Sequence, residues 1–175
     1  MADRSRNDGI GAETRVWRVT PDESLEWVAV SPEKLNPDEL SHWVTRRDCG
    51  AVVIFYGTAR TTSTVEHEIL ELEYDTDIDL AESRIRRVSA VARERWPVVR
   101  AIAIHHRIGT VAVREPAVVV AVSSPHRGEA FEAAQFCIDA VKRTVPMWKR
   151  EIWQGGSAWS QEAQDILDVS DLESR

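Results

Sequence analysis

Cysteine is scarce in this chain: two of its 175 residues, Cys49 and Cys137. They form no CxxC pair and have no histidine at ligand spacing, so neither a zinc site nor a disulfide framework is expected. Basic charge is also short, with 22 Lys and Arg against 29 Asp and Glu and a net charge of −7. Such a balance argues against a nucleic-acid coat protein, because phosphate binding needs a basic surface. Long apolar runs are missing too. The longest, Ala51 to Tyr56 and Ala117 to Val122, fall far below the roughly 18 residues a membrane helix needs. The opening MADRSRNDGIGAETR lacks the apolar stretch of a secretory signal, and the cytoplasm is the expected setting. No GxGxxG, Walker A or GxSxG sequence occurs, so nucleotide and serine hydrolysis are unsupported. With no repeat and no Pro/Gly-rich linker, one domain over residues 15–160 is expected, between an arm at 1–14 and a tail at 161–175. The tail holds five acids against one arginine.

What is present reads as alternating strands and helices. Leu25 to Val30 suits a first strand. Asn36-Pro37-Asp38-Glu39 supplies a cap, a proline at the first helical position and acids in the first turn, opening a short helix to about Arg46. Ala51 to Tyr56 is β-branched and aromatic, a buried strand ending at Gly57. A polar loop from Thr58 to Glu66 follows. Glu68 to Tyr74 alternates acid and apolar residues, as a half-solvated antiparallel strand does. Ile78, Ala81, Ile85, Val88 and Ala92 recur at helical spacing after a cap expected at Thr76, and Trp96-Pro97 stops that helix. Val98 to His106, Thr110 to Val113 and Ala117 to Val122 read as strands, and Arg127 to Thr144 as a second long helix. The fold class expected is α+β, with two long helices packed on one face of a mainly antiparallel sheet, of ferredoxin-like or α-β hammerhead type.

Few residues stand out as chemistry. At about 100° per residue, Lys142 falls only about 20° from Phe131, inside the apolar stripe of the last helix, while Arg143 falls among acids. An ammonium on a core face is costly unless it is paired or borders a cavity, and partial desolvation lowers its pKa. The alternative is a lysine whose stem covers apolar surface while its head reaches water. Ser123-Ser124-Pro125-His126-Arg127-Gly128 runs from a buried strand into a helix N-terminus, where free N–H groups with His126 and Arg127 form an anion pocket, or simply a helix start with exposed polar residues. From Ser124 to Arg150 there are five basic residues against three acids, which favours an anionic ligand. Arg60 follows the strand end at Gly57, where the backbone can turn or approach a partner closely.

These motifs occur in a recognisable order: Phe55-Tyr-Gly-Thr-Ala-Arg60, Leu72-Glu-Tyr74, His106-Arg-Ile-Gly109, Ser124-Pro-His-Arg127 with Glu129-Ala-Phe131, and Lys142 with Val145-Pro-Met-Trp-Lys149-Arg-Glu151. From about Leu25 to Trp159 the chain resembles the large, catalytic subunits of molybdopterin synthase. The resemblance implies a sulfur transferase of molybdenum cofactor biosynthesis. Its partner would be a small ubiquitin-like sulfur carrier with a C-terminal Gly-Gly thiocarboxylate, and its substrate cyclic pyranopterin monophosphate. A homodimer within a heterotetramer is implied, with no metal and no cofactor. The implied site residues are Lys142 and Lys149 at the reacting groups, with Arg60, His126 and Arg127 on the substrate phosphate and pterin, some of them from the dimer mate. Two neighbouring cations would also depress each other's pKa.

Three stretches depart from the family pattern, one of them the tail beyond Trp159, which is acidic and offers no early Arg to a pocket. The loop after Arg60 reads Thr61-Thr-Ser-Thr-Val65, where the family carries Asp or Asn with His and Gly, and Asp75-Thr-Asp-Ile-Asp79 lacks the family's aromatic and Met residues. The altered loop leaves open a second function on the same fold, a homodimeric module that binds a ubiquitin-like tail or an anionic metabolite without catalysis.

Overall fold

Continuous β-branched runs bury both faces of a strand, and two of them lie side by side at the centre of the molecule. The computed structural model describes residues 25–62, 67–160 and 166–172; the arm at 1–14, part of the loop after Arg60 and most of the tail at 161–175 lie outside them. The strands are β1 (Glu26–Ser31), β2 (Ala51–Thr58), β3 (Ile69–Asp75), β4 (Ala101–Arg107), β5 (Gly109–Ala112), β6 (Pro116–Ser124), β7 (Trp148–Trp153) and β8 (Gly156–Trp159). The helices are α1 (Pro37–Val44), α2 (Ile78–Arg95) and α3 (Arg127–Thr144).

The strands form two sheets, ordered β1-β4-β6-β2 and β5-β3-β7-β8. Among the described residues only β1 and β4 run parallel; the other pairs are antiparallel. In the first sheet, successive residues of β4 and β6 point to opposite faces. Ile102, Ile104, Val118, Val120 and Val122 meet Ile85 and Val88 of α2 and Cys137, Ile138 and Val141 of α3. Ala101, Ala103, Val119 and Ala121 meet Leu40, Trp43 and Val44 of α1. The second sheet closes over a smaller core of Ala59, Ile69, Leu72, Val111 and Ala117.

The α+β class holds, but the arrangement differs from the expectation in two respects. The two long helices α2 and α3 share one face as expected, but the short α1 covers the opposite face, which is why β4 and β6 carry no wet face. The single sheet is replaced by two. The chain leaving α3 enters β7 and pairs with β3, so no strand returns to the edge of β2 as a complete ferredoxin-like order requires. A split βαβ unit remains, with β6 lying between β2 and β4.

Local signals set the helix starts. Asn36 Oδ1 accepts from the Glu39 N–H at 3.3 Å, with Pro37 at the first helical position. The cap of α2 is Asp77, whose Oδ1 accepts from the Leu80 N–H at 3.0 Å. Thr76, expected in that role, instead donates its hydroxyl to the Pro146 carbonyl. Beyond β8, Val169 packs into the core shared by α2 and α3, and the Leu167 N–H donates to the Arg143 carbonyl at 2.9 Å. Arg84 clasps both ends of this contact, donating to the carbonyls of Thr144 at 2.8 Å and Leu167 at 3.2 Å. Among the described residues, no helix is long and apolar enough to cross a membrane.

Candidate active site

The end of β2, the start of β6, strands β3 and β7 and the last turns of α3 enclose a cleft of about 640 Å³. Leu72, Val118, Ile138, Val141 and Met147 give it an apolar floor, and Arg60, Lys142 and Lys149 give it three cationic side chains.

Arg60 is held by the backbone on both sides. A Cβ on Gly57 would lie 2.5 Å from Val118 Cγ1, so only glycine lets β2 approach β6 here, and the register shifts at the next residue. The Ala59 N–H then donates to the Glu115 carbonyl at 3.0 Å, and the Ala59 carbonyl accepts from the Arg114 N–H at 2.8 Å. On the other side, the Thr61 carbonyl accepts from the Ile69 N–H at 2.9 Å. The turn that provides two of these bonds contains Arg114 at φ 77°, a left-handed conformation uncommon outside glycine. Glu115 anchors the turn by accepting from Lys34 and, at 2.7 Å, from Arg107. Those two hydrogen bonds, Lys34 first, hold its carboxyl down at about 2.

Lys142 is exposed, which agrees with the alternative of a lysine whose head reaches water and not with an ammonium sunk in the core along the apolar stripe. Phe131, which set the centre of that stripe, is 63% exposed. The buried face of α3 runs instead through Ala130, Ala133, Ala134, Cys137, Ala140 and Val141. Small residues let the helix sit close to the sheet, and Lys142 stands on the flank of that face, where α3 meets the cleft. Lys149 lies opposite Tyr74 across β3 and β7, and its Nζ is 3.4 Å from Glu151 Oε1. Glu151 is two residues along the same strand and therefore on the same face, and it is buried.

His106, at the end of β4, is 6% exposed and lines the cleft. Its Nδ1 lies 2.9 Å from the Arg107 carbonyl, and the ring of Tyr74 meets it edge to face at 5.2 Å. His105 points to the opposite face of the sheet, against Trp27. Burial pushes both imidazoles down to about 4.

Three of the five expected site residues, Arg60, Lys142 and Lys149, thus meet in one cleft. His126 and Arg127 do not. They sit exposed at the start of α3, about 22 Å from Lys142 along the helix axis at 1.5 Å per residue. His106, Tyr74 and Glu151, which also line the cleft, are not among the expected site residues. A buried polar residue at a strand end and a period of two from Lys149 are the signals that point to them. Of the divergent loop, Thr62 reaches the cleft, and residues 63–66 lie outside the described residues. Among the described residues, no three His, Cys, Asp or Glu side chains gather as a metal cage requires. A cleft with an apolar floor, cationic walls and one neutral imidazole suits an anion that carries a flat, weakly polar body.

Comparison with known proteins identifies the family. A family model described as MoaE protein matches residues 30–144. The molybdopterin synthase catalytic subunit of Taeniopygia guttata is 38% identical over 140 residues, 80% of this chain and 90% of that one. The protein of the same name from Bacillus subtilis (strain 168) is 36% identical over 135 residues, 77% of this chain and 85% of that one. The crystal structure of molybdopterin synthase from Staphylococcus aureus superposes with a TM-score of 0.72 at 35% identity, covering 75% of this chain and 95% of that one.

Proposed function

This chain belongs to the MoaE family, and from that premise we propose that it works as a molybdopterin synthase catalytic subunit. It passes sulfur from the C-terminal thiocarboxylate of a small ubiquitin-like carrier to cyclic pyranopterin monophosphate and so forms the dithiolene of molybdopterin. The observation that carries this reading is the convergence of Arg60, Lys142 and Lys149 on one cleft with an apolar floor. The cations neutralise the substrate phosphate and the carrier's anionic tail, which would otherwise repel each other. The apolar floor takes the face of the pterin. Lys142, exposed on the flank of α3, stands at the reacting groups, where an ammonium moves a proton or stabilises negative charge that develops during transfer. Lys149 lines the same cleft and is oriented by Glu151.

A homodimer accounts for His126 and Arg127. Strand β2 ends its sheet, and Val52 and Tyr56 on it are exposed. It starts opposite Ser124, near His126 and Arg127, and finishes at Thr58, beside Arg60. The helix α3 begins where β6 ends and reaches the cleft at Lys142, so it runs along β2. Antiparallel pairing of two β2 edges about a twofold axis brings the start of one α3 to the end of the other. His126 and Arg127 of each protomer then reach the partner's cleft and add their positive charge to the phosphate site.

A single-turnover assay with thiocarboxylated carrier and cyclic pyranopterin monophosphate tests the proposal. The wild type forms dithiolene, and Lys142→Ala slows it by at least ~100-fold, about 2.7 kcal/mol of transition-state stabilisation. A wild type that binds the carrier and makes no product overturns the enzyme reading in favour of the binding module.

A further inference from the structure

We propose that His106 is a substrate-binding residue whose Nε2 accepts a hydrogen bond from a ring N–H or amino group of the pterin. This assignment rests on the functional reading above and adds to it the group that recognises the pterin's polar edge.

The neighbouring carbonyl fixes the tautomer of His106. A carbonyl oxygen only accepts, so the 2.9 Å contact between His106 Nδ1 and the Arg107 carbonyl requires the proton on Nδ1. Nε2 then carries a lone pair. The ring has little freedom to exchange these roles. Tyr74 meets it edge to face, and Arg107, whose carbonyl fixes Nδ1, is itself tied to Glu115 at 2.7 Å. His106 lines the cleft, and among the described residues no donor is recorded on Nε2, which leaves that atom for an occupant. Burial keeps the ring neutral in ordinary buffers, since its pKa lies at about 4.

Beside the hydroxyls of Thr58, Thr62, Tyr74 and Ser160, the imidazole is the ring acceptor among the cleft's cations. Arg60, Lys142 and Lys149 can only donate, and Glu151 already faces Lys149 at 3.4 Å. An occupant held by its phosphate alone would satisfy the cations and leave the imidazole unused. A pterin carries several N–H groups on one edge, and placing that edge at Nε2 while the phosphate meets the cations fixes the ring at two points. A buried acceptor that has lost its donor, or a donor that has lost its acceptor, is costly, so this contact selects a heterocycle with N–H groups over other phosphorylated molecules.

The test uses the full chain labelled with 15N-histidine. Long-range 1H–15N spectra of His106 should give the Nδ1–H tautomer near pH 7, and saturation with cyclic pyranopterin monophosphate should move the Nε2 resonance upfield. An Nε2–H tautomer, an imidazolium, or a bound pterin that leaves the Nε2 resonance in place overturns the assignment without recourse to any variant. In steady-state assays, His106→Leu should raise KM for the pterin by about tenfold to a hundredfold, with carrier affinity unchanged. His106→Gln, whose amide oxygen reaches the Nε2 position, should recover most of that loss. An unchanged KM in the Leu variant, or a Gln variant as poor as Leu, overturns the assignment while wild-type turnover leaves the proposed function standing. Failure of the wild type to bind the pterin overturns both.

Discussion

Lowering the pH from 7 to 4.5 should destabilise this protein far more than its many exposed acids would suggest, because two adjacent histidines are buried without a charged partner. His105 is 8% exposed and His106 6%, and desolvation lowers each from 6.5 to about 4. In the unfolded chain both take up protons near 6.5; in the folded one they resist until about pH 4. Between these values the unfolded state binds more protons, so stability is intact above pH 6.5 and falls as the pH drops through the window. A difference of 2.5 pH units corresponds to about 3 kcal/mol per histidine at full effect, most of it lost by pH 4.5. Together the pair reaches about 6 kcal/mol, comparable with the whole stability of many domains at 5–15 kcal/mol.

Urea unfolding followed by tryptophan fluorescence at several pH values between 7.5 and 4.5 measures the effect directly. The unfolding free energy should fall with a slope approaching about 2.7 kcal/mol per pH unit in the middle of the window, two protons' worth. Replacing both histidines by glutamine should flatten that slope. An unfolding free energy constant to within about 1 kcal/mol from pH 7 to 4.5 would refute the reasoning. Glu115 acts in a separate and more acidic window. Its carboxyl is held at about 2 by Lys34 and Arg107, so its contribution is present above pH 4.5 and disappears as the pH falls toward 2.

Two further outcomes follow from the backbone and the sheet edge. Arg114→Gly relieves a left-handed residue whose side chain is exposed and should stabilise the protein by about 1 kcal/mol in the same urea assay; a loss of stability would show that φ 77° carries no strain. Replacing Val52 and Tyr56 together by lysine puts repelling charge on the β2 edge and should convert the proposed homodimer to monomer in sedimentation experiments, with loss of sulfur transfer. An intact dimer in that variant would place the twofold axis elsewhere.

The extent to which this architecture could be read from sequence depends on which interaction fixed each element. Local chemistry was enough for α1, where Asn36, Pro37 and the following acids specify a start that no tertiary contact has to correct. The ambiguous start was that of α2, where Thr76 and Asp77 are both good caps, and the choice between them was made by the distant Pro146 carbonyl, which engages the threonine. Runs such as Ala117 to Val122 reveal burial on both faces but not which helix covers each face. The division into two sheets is less visible still, since it depends on β3 pairing with β7 across more than 70 residues of chain. The site divides along the same line. Arg60 could be located because it follows the strand end at Gly57, whereas Lys149 was reached only through the basic cluster after the last helix and the family motif that contains it. Lys142 was singled out for an incorrect reason: the stripe was centred on the bulky Phe131, whereas close packing against the sheet is made by alanines. The lysine belongs to the site because it flanks that alanine face at the mouth of the cleft, with its charge in reach of water until a ligand excludes it. Catalysis by such a group depends on what the carrier tail and the pterin displace when they bind, more than on any desolvation built into the free protein.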